Sequence, residues 1–226
     1  MKTLISKEDM LDYLKNKRDN TKIQYIVFDI DDTIMDTAER KKIIYNRLKK
    51  MYDLPTISSE EFEKAYNIAQ ILVKYNFQED EILKINQKFV KLFLSNKYIL
   101  KDRPFPGIKD IINELLKMNY YIIYLTGRTI NLRKKTIKSF KMNEIPIQKP
   151  NIDLVMKKDN DCPDLTFKLE YIKNFREKEN IVCFIDNDSE TCNELKRILN
   201  SNLIIKFYST QKDNLIYNGP YISKWA

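Results

Sequence analysis

The chain has 226 residues, 43% hydrophobic, 32% charged and 12% aromatic, and 40 Lys plus Arg against 32 Asp plus Glu give a net charge of +8. Apolar content at the globular norm excludes wholesale disorder, and a chain of this length buries roughly 70% of the surface its unfolded form exposes, so no disulfide staple is needed. The chain contains no His, which excludes Ser-His-Asp and Cys-His nucleophile systems, His-ligated zinc and imidazole acid–base chemistry and leaves carboxylates, Lys, Ser/Thr or an oxygen-held metal to do any catalysis.

In chain order, the start MKTLISKEDM has no apolar core and does not read as a secretory signal. Residues 6 to 18 predict a short helix with Ser6 as cap and Asp9 in the first turn. Residues 24 to 30 (QYIVFDI) form an apolar, β-branched run expected as a buried strand. Residues 38 to 52 place Ile43, Ile44, Leu48 and Met51 at helical spacing, and Asp53 to Ile57 breaks the pattern with a Pro. Ser58 and Glu61 have the spacing of a capping box for a helix running to about Asn76, and another helix is expected from about Glu79 to Asn96. Arg103-Pro104-Phe105-Pro106-Gly107 is a turn-rich boundary.

Beyond it lie an amphipathic helix at 108 to 118, a strand at 120 to 126 (YYIIYLT) and a basic helix from Thr129 to Lys141. Then come a strand from Ile152 to Met156, a helix from Leu165 to Lys178, a strand from Ile181 to Asp186, a helix from Glu190 to Leu199 and a strand from Leu203 to Tyr208. This alternation predicts an α/β fold, a Rossmann-like parallel sheet with helices on both faces, interrupted after its first strand by an all-helical block. The expected division is a discontinuous core of 1–37 and 100–226 and an inserted unit of 38–99.

Three cysteines, Cys162, Cys183 and Cys192, form no CxxC pair, and no apolar run approaches a membrane span, so a protein of the reducing cytosol, away from membranes, is expected. The basic charge favours anionic ligands such as phosphate esters, nucleotides or nucleic acid, or it reflects a solvated Lys-rich surface. No block of Lys and Arg reads as a nucleic-acid arm.

Ligands of open parallel sheets bind beyond the carboxyl ends of the strands. Those ends carry Asp29-Ile30-Asp31-Asp32-Thr33, Thr126-Gly127-Arg128 and Asp186-Asn187-Asp188, and Lys168 opens the helix before the last of them. Carboxylates brought together at one edge repel unless a cation intervenes, and oxygen-only ligation suits magnesium. One carboxylate can attack phosphorus, and a second two residues on can protonate the leaving oxygen and then activate water. Thr33 and Thr126 also suit simple turns, and Lys168 also suits a solvated helix face.

The set VFDIDDT, YLTGR, Lys168 and CFIDND resembles, in order, the four motifs of the haloacid dehalogenase-like superfamily, across about residues 24 to 190. The resemblance implies Asp29 as nucleophile, Asp31 as acid–base with its backbone carbonyl on the metal, Thr126 and Lys168 as phosphate-binding groups, and Asp186 as a magnesium ligand. It implies Gly127 and Arg128 beside the substrate, with Arg128 equally open to pairing with a core carboxylate. Dehalogenases of the superfamily do not need the second Asp for leaving-group protonation, so Asp31 favours phosphoryl transfer. The family often has Gly where Asp32 stands, and whether Asp188 or Glu190 supports the metal is left open. The helical block resembles the cap that folds over the site and admits small substrates.

The stretch IDLVMKKDNDCPDLTFKLEYI with CFIDND is also similar to the phosphatase part of bacteriophage polynucleotide kinase. That likeness implies 3′-phosphate removal from nucleic-acid ends as the alternative to a small phosphorylated metabolite or nucleotide. A non-catalytic binder of a phosphorylated ligand or partner is the alternative of another class. Oligomeric state is not legible from the chain.

Overall fold

The computed structural model describes residues 3–64, 67–199, 203–208 and 215–226. In chain order the elements are β1 (Thr3–Leu4), α1 (Lys7–Lys17), β2 (Tyr25–Phe28), β3 (Met35–Asp36), α2 (Ala38–Tyr52), α3 (Ser59–Lys64), α4 (Ile68–Lys74), α5 (Glu79–Phe93), β4 (Arg103–Pro104) and α6 (Ile108–Lys117). They continue with β5 (Tyr121–Thr129), α7 (Arg133–Met142), β6 (Ile152–Lys157), α8 (Asp164–Asn174), β7 (Ile181–Asp186), α9 (Ser189–Ile198), β8 (Leu203–Phe207) and β9 (Pro220–Ile222).

Seven strands form one sheet in the order β1-β9-β8-β7-β2-β5-β6, and every pairing in it is parallel. The strands therefore need both faces covered, and their period of two shows how they are. On β2, Ile26 and Phe28 point to one apolar cluster, with α1, α6 and α7, while Tyr25 and Val27 point to another, with α8 and α9. β5 divides in the same way, with Ile122 and Tyr124 on the first face and Ile123 and Leu125 on the second. This is the expected Rossmann-like α/β sheet.

Local signals set most helix ends. Ser6 and Asp9 bond reciprocally at the head of α1. Asp53 ends α2 in the left-handed region, at φ 47°, a conformation that Asp and Asn tolerate better than most residues. The helix expected from Ser58 to about Asn76 is broken, and at Ala65 and Tyr66 that expectation lies outside the described residues. Glu61 N–H does donate to Ser58 Oγ (3.1 Å), but α4 starts afresh behind Asn67, whose extended backbone and side chain, accepting from Gln70 N–H (3.0 Å), make it an N-cap. Asn competes for backbone donors in this way and favours caps over helix interiors.

Two features escape the sequence pattern. β3 and β4 pair antiparallel and form a short ribbon where the chain enters and leaves the helical block α2–α5. The block packs around its own apolar cluster, which includes Ile44, Leu48, Leu72, Ile85 and Phe89. β1 and β9 add an edge to the sheet by pairing the two ends of the chain.

The C-terminal segment has a further role. Trp225 is buried, stacks on Phe207 with centroids 4.8 Å apart, and donates from Nε1 to the Thr33 carbonyl (3.0 Å). Gly107, at φ +87°, makes room for it, since a Cβ there would stand 2.4 Å from the Trp225 carbonyl oxygen. Trp225→Phe should therefore keep the stacking but lose the hydrogen bond, leaving a buried carbonyl unpaired. A loss of about 1–3 kcal/mol in urea unfolding is expected, and a loss within error would show that the bond does not hold the Thr33 loop.

Candidate active site

β2 lies between β5 and β7, so the three motif-bearing strand ends are neighbours. Asp29 follows β2, and its N–H donates to the Ile185 carbonyl (2.9 Å), which pins it to the end of β7. Ile30 turns into the core, so Asp29 and Asp31 flank it. The chain then tightens, with Ile34 and Met35 N–H both donating to the Ile30 carbonyl (3.0 and 2.9 Å). Asp32 takes φ 58° in this loop, which explains why Gly is common there and why Asp can replace it. The Asp32 carboxylate accepts from Thr37 N–H (3.2 Å) and Lys41 Nζ (2.5 Å), tying the loop to the start of α2.

Lys168, near the start of α8, reaches the strand ends. Its Nζ lies 2.8 Å from Asp29 Oδ1 and 2.6 Å from Asp186 Oδ2. All three groups are buried. Burial disfavours the Lys168 charge, but Asp186 and Asp29 outweigh it and hold the ammonium protonated well above the usual lysine range. Burial and the neighbouring Asp186 push the Asp29 carboxyl upward against the pull of Lys168. Asp186 is also raised, by burial first.

Asp31 has different partners. Its carboxylate receives Arg128 Nε (3.0 Å) and Nη2 (2.6 Å) and is also bonded by Arg40. Burial alone would raise its pKa, yet the two guanidiniums overcome this and hold it well below the usual carboxylate range. Arg128 further binds Asp102 (2.7 Å), and Arg40 Nε lies 3.0 Å from the same carboxylate. Two buried arginines and two aspartates thus close one network at the junction of the sheet and the helical block. Arg128, which could have turned to a substrate or to a carboxylate, points to carboxylates here. Arg40 also lies on the Phe93 ring, 3.7 Å from its centroid.

Thr126 is buried near the end of β5, and its Oγ1 accepts from Arg128 N–H (3.3 Å). Gly127 leaves room for the Asp164 carboxylate at the head of α8, which would lie 1.9 Å from a Cβ placed there. Thr33 Oγ1 lies 3.3 Å from Asn187 Oδ1 and links the first and last motif loops. Asp188 caps α9 by accepting from Thr191 N–H (2.7 Å) and Oγ1 (2.8 Å), whereas Glu190 is exposed and lines the cavity above the site. That cavity, about 380 Å³, lies between the strand ends and the helical block.

The structure thus brings Asp29, Lys168 and Asp186 together, and it places the Asp31 carboxylate on the same cavity but bonded by Arg128 and Arg40. Arg40, Lys41 and Asp102 are the residues that sequence reasoning missed. One signal was present: Arg40, Lys41 and Lys42 crowd the start of α2, where a helix disfavours cations. Burial of Arg40 and Lys41 against carboxylates accounts for them.

The profile of the family described as haloacid dehalogenase-like hydrolase matches residues 26–158. The chain therefore belongs to this family, and it is a hydrolase of that superfamily. No curated protein is a significant match. Among solved structures, the chain is similar to a haloacid dehalogenase-like hydrolase from Streptococcus pneumoniae, at TM-score 0.62 and 13% identity, covering 90% of this chain and 95% of that one. It is also similar to a "predicted phosphatase" from Clostridium acetobutylicum (TM-score 0.60, 18% identity, 89% and 95% covered). A "predicted phosphoglycolate phosphatase" from Haemophilus somnus compares at TM-score 0.58 and 13% identity, with 92% and 96% covered. At these identities the likeness establishes the fold.

Hydrolases of this family generally use a divalent metal. The residues present fit one. Asp29 and Asp186 are buried carboxylates converging on one ammonium, and they offer only hard oxygen donors. Among the described residues no three acidic or sulfur side chains converge on one point. Asp31, its carboxylate engaged by arginines, has its backbone carbonyl left to offer. Among the described residues, no helix is long and apolar enough to cross a membrane.

Proposed function

We propose that the protein is a magnesium-dependent phosphatase of the cytosol that hydrolyses a small phosphate monoester through an aspartyl-phosphate on Asp29. The observation that carries this reading is the convergence of Asp29, Lys168 and Asp186 at adjacent strand ends, with Asp31 two residues from Asp29.

Asp29 Oδ attacks phosphorus, and the ester oxygen leaves with the phosphoryl group on Asp29. Asp31 protonates that oxygen, and the alcohol departs. Asp31 then takes a proton from water, which attacks the aspartyl-phosphate, releases inorganic phosphate and restores Asp29. Asp31 must first accept a proton itself, so its bonds to Arg128 and Arg40 must loosen when substrate is seated; as described, they hold it ionised. Lys168 and Thr126 hold the non-bridging oxygens as charge grows on them, with the Gly127 and Arg128 backbone beside the transferred group. Asp29, Asp186 and the Asp31 carbonyl would hold magnesium, with Asp188 or Glu190 in support. When bound, the cation cancels the repulsion between the Asp29 carboxylate and the incoming phosphate.

The helical block acts as a cap over this site in the proposal. A cavity of about 380 Å³ beneath it supports a small phosphorylated metabolite over a nucleic-acid 3′ end, and the two carboxylates Asp29 and Asp31 facing an anion support turnover over mere binding of a phosphorylated ligand. The test is phosphate release from a panel holding an aryl phosphate, sugar phosphates, nucleoside monophosphates and a 3′-phosphorylated oligonucleotide, with magnesium and with chelator. Release from small esters, lost with chelator, is expected. Preference for the oligonucleotide would instead support the nucleic-acid reading, and no release from any member would sink the phosphatase.

A further inference from the structure

The two sides of the cavity have opposite chemistry. The floor, from the strand ends, the start of α2, α8 and α9, carries Asp31, Asp32, Asp164, Asp186, Asp188 and Glu190. The roof, from α3, α4 and α5, is formed by Phe62, Ile68, Ile71, Phe89, Val90 and Phe93. Five of these six roof side chains are half-buried or buried, and Val90 is 44% exposed. Asn67 and Asn86 add two carboxamides to the roof, which offer hydrogen bonds without charge.

Among the described lining residues the only cations are Lys41 and Lys168. Lys41 is paired with Asp32 (2.5 Å), and Lys168 is held between Asp29 and Asp186. In the phosphatase reading, Lys168 and a bound metal would neutralise the transferred phosphoryl group. A second anionic group on the departing alcohol would meet acids below and hydrocarbon above, with no cation of its own to pair with. Burying an unpaired charge against such a wall is strongly unfavourable. A polyol can bond the floor acids and the two carboxamides, but the hydroxyls it turns to the roof meet carbon, so it gains less there than a carbon skeleton does.

We propose that the site takes the phosphate monoester of an uncharged alcohol with an apolar or aromatic carbon skeleton, seated against the roof around Ile71 and Phe89. This rests on the phosphatase reading for the chemical step and adds the leaving-group class. The balance is simple: the ester and one water become the alcohol and inorganic phosphate.

The experiment compares three primary alkyl esters, whose intrinsic reactivities are alike, on the magnesium-loaded protein. They are 2-phenylethyl phosphate, glycerol 3-phosphate and 2-phosphoglycolate. The expected order of kcat/KM is phenylethyl first, by about 100-fold over phosphoglycolate, because each buried methylene-sized contact is worth roughly tenfold or more. In parallel, calorimetry measures binding of two non-hydrolysable compounds, 3-phenylpropylphosphonate and phosphonoacetate, with the phenyl compound expected to bind tighter. Val90→Lys, at an exposed roof position, should move selectivity towards phosphoglycolate by about tenfold, the effect of one partly solvated cation.

Turnover of all three esters without preference, or with phosphoglycolate or glycerol 3-phosphate preferred, would overturn the substrate class and leave the phosphatase standing. Absence of turnover with tighter binding of the phenyl phosphonate would overturn the phosphatase and leave the apolar ligand class standing. Absence of both would overturn both.

Discussion

Asp29→Asn should lower magnesium-dependent phosphate release by about 10³-fold or more, the scale on which loss of a covalent nucleophile acts. The amide matches the carboxylate in shape but cannot form the aspartyl-phosphate. The fold should survive, and the reason lies in the site itself. Asp29 is a buried carboxylate whose burial works against its charge, and Lys168 keeps Asp186 at 2.6 Å when Asp29 becomes neutral. Removing one of two buried negative charges that share one ammonium costs little, so stability should change by no more than about 1 kcal/mol. The measurement is phosphate release beside a thermal unfolding curve. Activity above about a tenth of the parent would sink the nucleophile assignment; a collapsed melting curve would instead show that Lys168 needs both carboxylates.

Arg128→Met should be the most damaging single change to stability. Arg128 is fully buried, grips Asp31 through two nitrogens and reaches Asp102 and Thr136. Without it, the buried Asp102 and the half-buried Asp31 share Arg40 alone. Breaking a buried ion pair by removing one partner costs about 3–5 kcal/mol, because the surviving charge stays buried and under-compensated. A shift of that size in urea unfolding is expected. Arg128→Lys should recover only part of the loss, since an ammonium cannot reproduce the two-pronged contact with Asp31. Arg128→Met combined with Asp102→Leu should recover more, because the network then keeps one arginine and one aspartate. A loss below about 1 kcal/mol for Arg128→Met would mean that water reaches these carboxylates and that the network does not clamp Asp31.

The same network shows where sequence reading stops. Asp31 was legible as the second carboxylate of a DxD pair, and its spacing from Asp29 across the inward-facing Ile30 is visible in the structure. Its partners were not legible. Arg40 belongs to a run of cations in a Lys-rich chain, and Asp102 stands just before the stretch 103–107 that reads as a boundary. The break before α4 was missed because Asn67 is an acceptable residue within a helical pattern until its cap geometry is known. β1 and β9, of two and three residues, are too short to show periodicity, and they pair residues from opposite ends of the chain.

What the amino-acid order determined was local. Buried strands at Tyr25–Phe28 and Ile181–Asp186, the helix Ala38–Tyr52, and the acidic, Thr-Gly-Arg and Asp-Asn-Asp strand ends follow from short-range patterns of apolar side chains and turn chemistry. What only the tertiary structure decided was adjacency. β2 lies between β5 and β7, Lys168 reaches Asp29 and Asp186 across α8, Arg128 turns to Asp31 and Asp102, and an apolar roof faces an acidic floor. The physical reason is that each of these juxtapositions joins segments far apart in the chain. They are selected by how whole faces pack and by the cost of leaving charges buried without partners, and no short window of sequence contains both sides of such a contact.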